Sequence, residues 1–275
     1  MAIAERAFSF LPINDRDQKP RERGITEIRG PYYDPLGKRQ LADIYDTCGE
    51  FVDILKFSGG SFSLMPEKVL REIIDLSHEH DVKVSTGGFV ERILERCPDK
   101  VDDYLDECKR LGFDVVEISS GFLAIPQDDL VRLTEAVIRH GLQAKPEINV
   151  QFGAGGTSSV EALEQQGLQD PSNAIREAKR HLDAGAYKIM VESEGITEQV
   201  REWRTDIISQ IADGIGIENA VFEAADPAVY EWYLKSFGPE VNLFVDHSQI
   251  LELEAMRAGI WGTNDLFGRV RTWKG

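Results

Sequence analysis

The sequence is short of the residues that staple small folds or hold zinc. Its three cysteines, Cys48, Cys97 and Cys108, stand at spacings that make neither a disulfide framework nor a zinc motif. A reducing compartment is the simplest setting. Five histidines are scattered through 275 residues, with no HExxH, no GxSxG and no Cys/His pair placed as nucleophile and base. That excludes the common serine, cysteine and zinc hydrolase designs. No stretch approaches the ~18 consecutive apolar residues that span a bilayer. The first 24 residues are charged and lack the apolar centre of a signal peptide. Positive charge is also short: 31 Lys+Arg stand against 48 Asp+Glu, a net −17. A field of that sign repels nucleic acid and anionic membranes. The expectation is a soluble cytoplasmic protein with no nucleic-acid or membrane partner. That field does not exclude a small anionic substrate, because a local basic pocket outweighs it, and a divalent cation becomes useful as a bridge.

What is present is a regular alternation. Hydrophobic residues at 42% and charged residues at 29% are ordinary for a globular chain. From about residue 24, eight β-rich apolar runs occupy residues 25–29, 52–57, 82–85, 113–118, 142–147, 186–192, 219–223 and 241–246. Segments with helical periodicity lie at 65–80, 101–111, 128–140, 173–184, 198–212, 227–237 and 248–258. Gly141, Gly185, Gly238 and Gly259 follow four of them as C-terminal caps. Strands alternating with helices mean βαβ units and a parallel sheet. Eight units in this length predict an α/β fold, a TIM (β/α)8 barrel spanning residues 25–275 as a single domain, with an N-terminal arm at 1–24. An open doubly wound sheet is the alternative, but no strand is followed by GxGxxG or GxxxxGK[ST]. Residues 152–169 form a Gly/Ser-containing insert after strand 5, read either as a lid or as a plain surface loop.

Chemistry in such barrels sits at the C-terminal ends of the strands. Here the first strand ends with Arg29, the second with Lys56, and the fourth with Glu117. The fifth carries Lys145 and Glu147, the sixth Lys188 and Glu192, the seventh Glu223 and the eighth Asp246. Five carboxylates on one rim repel one another unless a cation neutralises them. Oxygen ligands of this kind suit Mg2+, or Mn2+. The metal candidates are therefore Glu117, Glu147, Glu192, Glu223 and Asp246, with Arg29, Lys56, Lys145 and Lys188 as the basic counterpart. A rim of structural ion pairs is the competing reading, and the strand phase that would decide between them is not legible. Ser58, Gly59 and Gly60 follow the second strand, Gly87 and Gly88 the third, and Gly262 and Asp265 the last helix. Such loops bring backbone N–H groups close to an anion, or are simply turns. His247 is the one histidine at a strand end; His78, His80, His140 and His181 fall on expected outer, solvated helices.

Several motifs together resemble the phosphosulfolactate synthase family. They are DILKFSGGS (53–61), KVSTGG (83–88), ECKRLGFDVVEISSG (107–121), DAGAYKIMVE (183–192), VFEA (221–224), VNL (241–243) and G-x-x-D-x-F-G (262–268). The resemblance runs from residue 24 to 270 and includes a plant heat-stress-associated protein. It implies a TIM barrel that adds sulfite to phosphoenolpyruvate with Mg2+, giving (2R)-2-phospho-3-sulfolactate, an early intermediate of coenzyme M. It implies carboxylates on the metal, basic groups and Gly-rich loops on the phosphate, and a general acid that protonates the carbon beside the one sulfite attacks. Lys56, Glu117, Glu147, Glu192, Glu223 and Asp265 fall on matching motif positions. Two positions depart from the family pattern. Ile148-Asn149-Val150-Gln151 stands where the family has a lysine that is its candidate general acid, which makes Lys145 or Lys188 the candidates here. Ser193-Glu194-Gly195 replaces an Arg-containing segment. The resemblance leaves open a different metal-dependent lyase or aldolase on the same barrel, or a non-catalytic stress-related protein. A homo-oligomer is expected, because family barrels associate and the N-terminal arm offers a contact.

Overall fold

The structure is a computed structural model, which describes residues 6–155, 158–167, 170–224, 226–261 and 266–273. Eight parallel strands close into a barrel in sequence order: β1 (Thr26–Arg29), β2 (Ile54–Lys56), β3 (Lys83–Ser85), β4 (Val115–Ile118), β5 (Gln143–Ile148), β6 (Ile189–Val191), β7 (Ala220–Glu223) and β8 (Leu243–Asp246). β1 pairs with both β2 and β8, which closes the ring. Each strand falls within or beside a run expected from the sequence.

The helices are α1 (Lys38–Cys48), α2 (Glu67–Glu79), α3 (Val90–Arg96), α4 (Val101–Leu111), α5 (Gln127–Arg139), α6 (Val160–Glu164), α7 (Ser172–Asp183), α8 (Thr205–Ile215), α9 (Pro227–Phe237) and α10 (Ile250–Arg257). Helix spacing follows apolar spacing: α2 buries Leu70, Ile73 and Ile74 against the sheet. α9 begins where Asp226 accepts a hydrogen bond from the N–H of Ala228 and Pro227 occupies the first turn. The four glycines expected to follow helix ends all take positive φ. The segment expected to be helical from 198 is not so until Thr205. Just before it, residues 193–198 form a tight turn, in which the N–H groups of Ile196, Thr197 and Glu198 all donate to the Ser193 carbonyl. His181, expected on a solvated face, is buried, with Nδ1 2.8 Å from Thr134 Oγ1.

Strand phase follows from packing. Ile28, Leu55, Val84, Val116, Ile118, Ala144, Ile148, Ile189, Val191, Phe222, Leu243 and Val245 belong to the large core between barrel and helices. The alternate residues point into the barrel, where Met190, Val221 and Phe244 form a separate small cluster. Residues 14–24 run across the N-terminal mouth. Arg16 pairs with Glu254 and donates to the carbonyl oxygens of Gly24 and Phe51, Arg21 pairs with Asp53 at 2.9 Å, and Lys19 donates to the carbonyls of Gly49 and His80. No helix among the described residues is long and apolar enough to cross a membrane.

Candidate active site

The inward phase brings a ladder of charge to the barrel axis. Lys145 on β5 pairs with Glu27 on β1, although these strands stand on opposite sides of the ring. The ion pair therefore crosses the interior. Lys145 Nζ also lies 3.1 Å from Glu117 Oε2 on β4, in ion contact without hydrogen-bond alignment. The other oxygen of Glu117 lies 2.8 Å from Lys56 Nζ on β2. Lys56 in turn sits 4.5 Å from the ring centroid of Phe244. Arg29 on β1 pairs with Glu223 on β7 at 3.0 Å, and its guanidinium packs over Tyr33 and Phe244.

These contacts set the charge states. Burial opposes ionisation of Glu117, but the Lys56 and Lys145 ammonium groups outweigh it and hold its carboxyl below the usual range. Burial likewise opposes the charge on Lys56, and Glu117, Glu147 and Glu223 outweigh it and keep the ammonium charged. Four carboxyls of the mouth go the other way. Burial, reinforced by the charges of Glu117 and Glu192, pushes Glu147 well above the carboxylate range. Burial raises Glu192, against the pull of a backbone N–H from Glu194. Burial and the Glu192 charge push Glu223 up to about 8 despite Lys56 and Arg29. Glu198, from the loop after β6, is raised by burial and by Glu223.

The loops complete the mouth. Glu192 Oε1 accepts from the N–H groups of Ser193 (2.8 Å) and Glu194 (3.0 Å). Its Oε2 faces the insert after β5: a β-carbon built on Gly155 would lie 3.0 Å from it and 3.5 Å from Glu147 Oε1. The insert is pinned there by Gly153 N–H on the Gly121 carbonyl, by Gln151 on the Leu163 carbonyl and by Gly155 N–H on Glu194. After β3, Gly87 takes φ +59 with the Phe57 carbonyl 2.3 Å from a notional β-carbon, so only glycine fits. Gly88 is closed by Ser119, which is itself held by Glu91. Ser58, Gly59 and Gly60 form the turn after β2, with Gly59 against Tyr32 and Gly60 against Phe89. Those approaches give both glycines a packing reason.

The sequence candidates thus divide. Lys56, Glu117, Glu147, Glu192, Glu223 and Arg29 converge on the mouth. Lys145 lies beneath it, with no exposed surface. Lys188 does not belong to the site: it precedes β6, and its ammonium donates to the carbonyls of Glu22 and Glu218 at the opposite, N-terminal end of the barrel. Asp246 stands at the rim but serves as a cap, accepting from the N–H and hydroxyl of Ser248. His247 lies 3.8 Å from Asp34 and 3.7 Å from Asp246, at the edge. Gly262 and Asp265 lie outside the described residues. The sequence reading missed Glu27, whose place inside a β-run looks like an ordinary polar alternation, and Gly155, which carried only a loop signal.

Among the described residues no three Asp, Glu, His or Cys side chains are gathered closely enough to hold a metal ion as they stand. The donor chemistry still fits a hard divalent cation. Glu192 and Glu223 stand at the ends of adjacent strands, both raised by burial, and the Glu192 charge raises Glu223 further; a bound cation relieves that repulsion.

Residues 14–263 match the model of the family described as (2R)-phospho-3-sulfolactate synthase (ComA). The chain belongs to this family. Among its relatives, the Arabidopsis thaliana protein HEAT-STRESS-ASSOCIATED 32 is 41% identical over 94% of this chain and 93% of that one. The phosphosulfolactate synthase of Methanothermobacter thermautotrophicus is 28% identical over 96% of this chain and 98% of its own. That of Bacillus subtilis is 25% identical, over 91% and 94%. Family membership agrees with the barrel, which is also similar to the carboxyl transferase domain of Rhizobium etli pyruvate carboxylase. With pyruvate and biocytin, that domain gives a TM-score of 0.57 at 11% identity, over 94% of this chain and 50% of that one. The complete pyruvate carboxylase gives the same score, and the chain spans 23% of its length. At such identity the likeness concerns the fold alone.

Proposed function

We propose that the protein is a lyase that adds sulfite to phosphoenolpyruvate with Mg2+, forming (2R)-2-phospho-3-sulfolactate. The observation that carries this reading is the pairing, in one buried mouth, of an ammonium seated on a carboxylate with a carboxyl whose proton affinity burial raises: Lys56 2.8 Å from Glu117, and Glu147 beside them. Addition to the double bond of an enol phosphate acid needs both, positive charge for the enolate-like anion and a proton for its carbon.

Lys56 and Arg29 receive the anionic substrate, and the turns after β2 and β3 close around its phosphate. The sulfur lone pair of sulfite forms a bond to the methylene carbon. The π electrons of the C=C bond move toward the substrate carboxylate, where Lys56 meets the growing negative charge. Glu147 then delivers its proton to the carbon that bears the phosphate, and regains one from solvent. A carboxyl whose proton affinity is raised by burial is suited to this, and it takes the place of the lysine that Ile148-Asn149-Val150-Gln151 lacks. Mg2+, held by Glu192 and Glu223, would supply additional positive charge at the substrate carboxylate when bound. The net reaction adds sulfite and one proton across the double bond.

The test is phosphorus NMR of purified protein with phosphoenolpyruvate, sulfite and Mg2+, with a chelator control. A new organophosphate signal that the chelator abolishes is expected. Folded, Mg2+-supplied protein that leaves phosphoenolpyruvate unchanged would overturn the proposal and direct attention to other enolisable acids.

A further inference from the structure

The middle of the barrel holds an ion pair where barrels normally hold packing. Interiors of this fold are filled by bulky apolar side chains, and Ile54, Val115, Met190, Val221 and Phe244 follow that rule here. Glu27 and Lys145 break it at zero exposure. Such a pair is a poor stabiliser, because removing two charges from water offsets much of their attraction. The pair is also incompletely satisfied: Glu27 Oε2 has no hydrogen-bond partner among the described residues. Its cost therefore asks for a return elsewhere, and the geometry shows where. Four side chains of alternating sign run from the centre to the mouth, Glu27, Lys145, Glu117 and Lys56, each in contact with the next. Lys145 has no access to the mouth, and Lys56 does.

We propose that Glu27 and Lys145 are positioning residues: Lys145, seated on Glu27, fixes one oxygen of Glu117 so that the other aims Lys56 at the substrate. Neither touches substrate, so the general-acid candidacy of Lys145 is replaced by this indirect role. The inference rests on the proposed function only in naming Lys56 as the group that receives the substrate.

The test compares the full-length chain with Glu27→Gln, Lys145→Met, the double variant, Lys56→Met and the triple variant. Melting temperature and phosphoenolpyruvate binding by calorimetry are read for each. Separately, protein labelled with 13C at the lysine ε-carbon gives the Lys56 signal, assigned by its loss in Lys56→Met. At fixed pH, a lysine held in one geometry shows two distinct ε-methylene protons. The double variant is expected to recover the melting temperature lost by the single variants, to bind phosphoenolpyruvate about tenfold more weakly, and to show the two ε-protons merged. Added to Lys56→Met it should cost no further affinity, because the effect travels through Lys56. Wild-type binding and an unchanged Lys56 signal in the double variant would overturn the inference, as would a full additional loss on top of Lys56→Met. If the wild-type chain does not bind phosphoenolpyruvate, the functional reading fails while the NMR comparison still decides: merged ε-protons uphold the positioning role, and unchanged ones refute it. Glu27→Gln, which keeps an acceptor for Lys145, is read by the same NMR comparison if the double variant does not fold.

Discussion

Gly155 and Glu192 stand so close that a single methyl group on the glycine would lie 3.0 Å from the carboxylate Oε2. The same methyl would face Glu147 Oε1 at 3.5 Å. The insert after β5 thus approaches the two carboxylates through the one residue that has no side chain. Its backbone, at φ +99, also suits glycine alone.

Gly155→Ala is therefore expected to disturb the site more than the fold. Strain at this φ costs on the order of 1–3 kcal/mol, visible as a lower melting temperature. Displacement of Glu147 or Glu192 should lower kcat/KM by roughly a hundredfold, as small misplacements at a reacting centre do. A variant with full activity would show that the insert does not shape the site.

Glu147→Gln removes the proposed proton donor while keeping the volume. The expected outcome is a fall in kcat of about 10²–10⁴, the usual worth of a general acid. Binding of phosphoenolpyruvate should persist, because Lys56 and Arg29 remain. Calorimetry and steady-state kinetics on the same preparation separate the two effects, and equal loss of binding and turnover would assign Glu147 to substrate holding instead.

Much of this site was legible, and the illegible part has physical causes. The eight strands announce themselves as short β-rich runs, and their C-terminal ends name Lys56, Glu117, Glu147, Glu192 and Glu223. Strand phase needs partners from across the ring, so nothing near Glu27 in sequence reveals that it meets Lys145. Lys188 reads as a strand-end residue because the run 186–192 reads as one strand, whereas it precedes β6 (Ile189–Val191) and so lies toward the opposite mouth. Asp246 looked like a rim ligand because a strand-end acid and a helix-capping acid have the same sequence signature. The turn at 193–198 left no mark in the sequence, since its hydrogen bonds converge on one carbonyl that no periodicity picks out.

Glu223 makes stability fall as pH rises. In the folded chain its carboxyl keeps a proton up to about pH 8, against 4.5 for its ordinary value. Between these values the folded state binds more protons than the unfolded one, so each rise in pH favours unfolding. The raised Glu147 and Glu192 act in the same direction. In chelator, the melting temperature should decline from pH 5 to pH 8 on account of this site, and Glu223→Gln should flatten the decline. Mg2+ should flatten it too and raise the melting temperature, by ~1.4 kcal/mol of stabilisation at ten times its dissociation constant. A wild-type curve no steeper than that of Glu223→Gln would refute the protonated state.

The opposite mouth should behave in the reverse sense. Arg257 is buried on α10 and donates to the carbonyls of Gly24 (2.6 Å) and Val241 (2.7 Å) and to Thr26 Oγ1 (2.9 Å). It thereby ties the last helix to the start of the first strand, beside Arg16 and Glu254. Arg257→Met keeps the stem but takes this donor from the Val241 carbonyl, leaves Arg16 alone on the Gly24 carbonyl and Thr26 Oγ1, and leaves Glu254 with less positive charge nearby, a loss of about 1–3 kcal/mol. The N-terminal face of such a barrel carries stability and the C-terminal face chemistry. Urea denaturation should therefore show a large drop in midpoint, while kcat/KM of the folded fraction, measured well below that midpoint, stays within about twofold of wild type. Glu147→Gln should give the converse pair, a lost kcat with stability at pH 7 equal to or above that of wild type, because the amide replaces a carboxyl that burial disfavours in its charged form. Finding the same ratio of stability loss to activity loss in both variants would mean that the two mouths are not divided in this way.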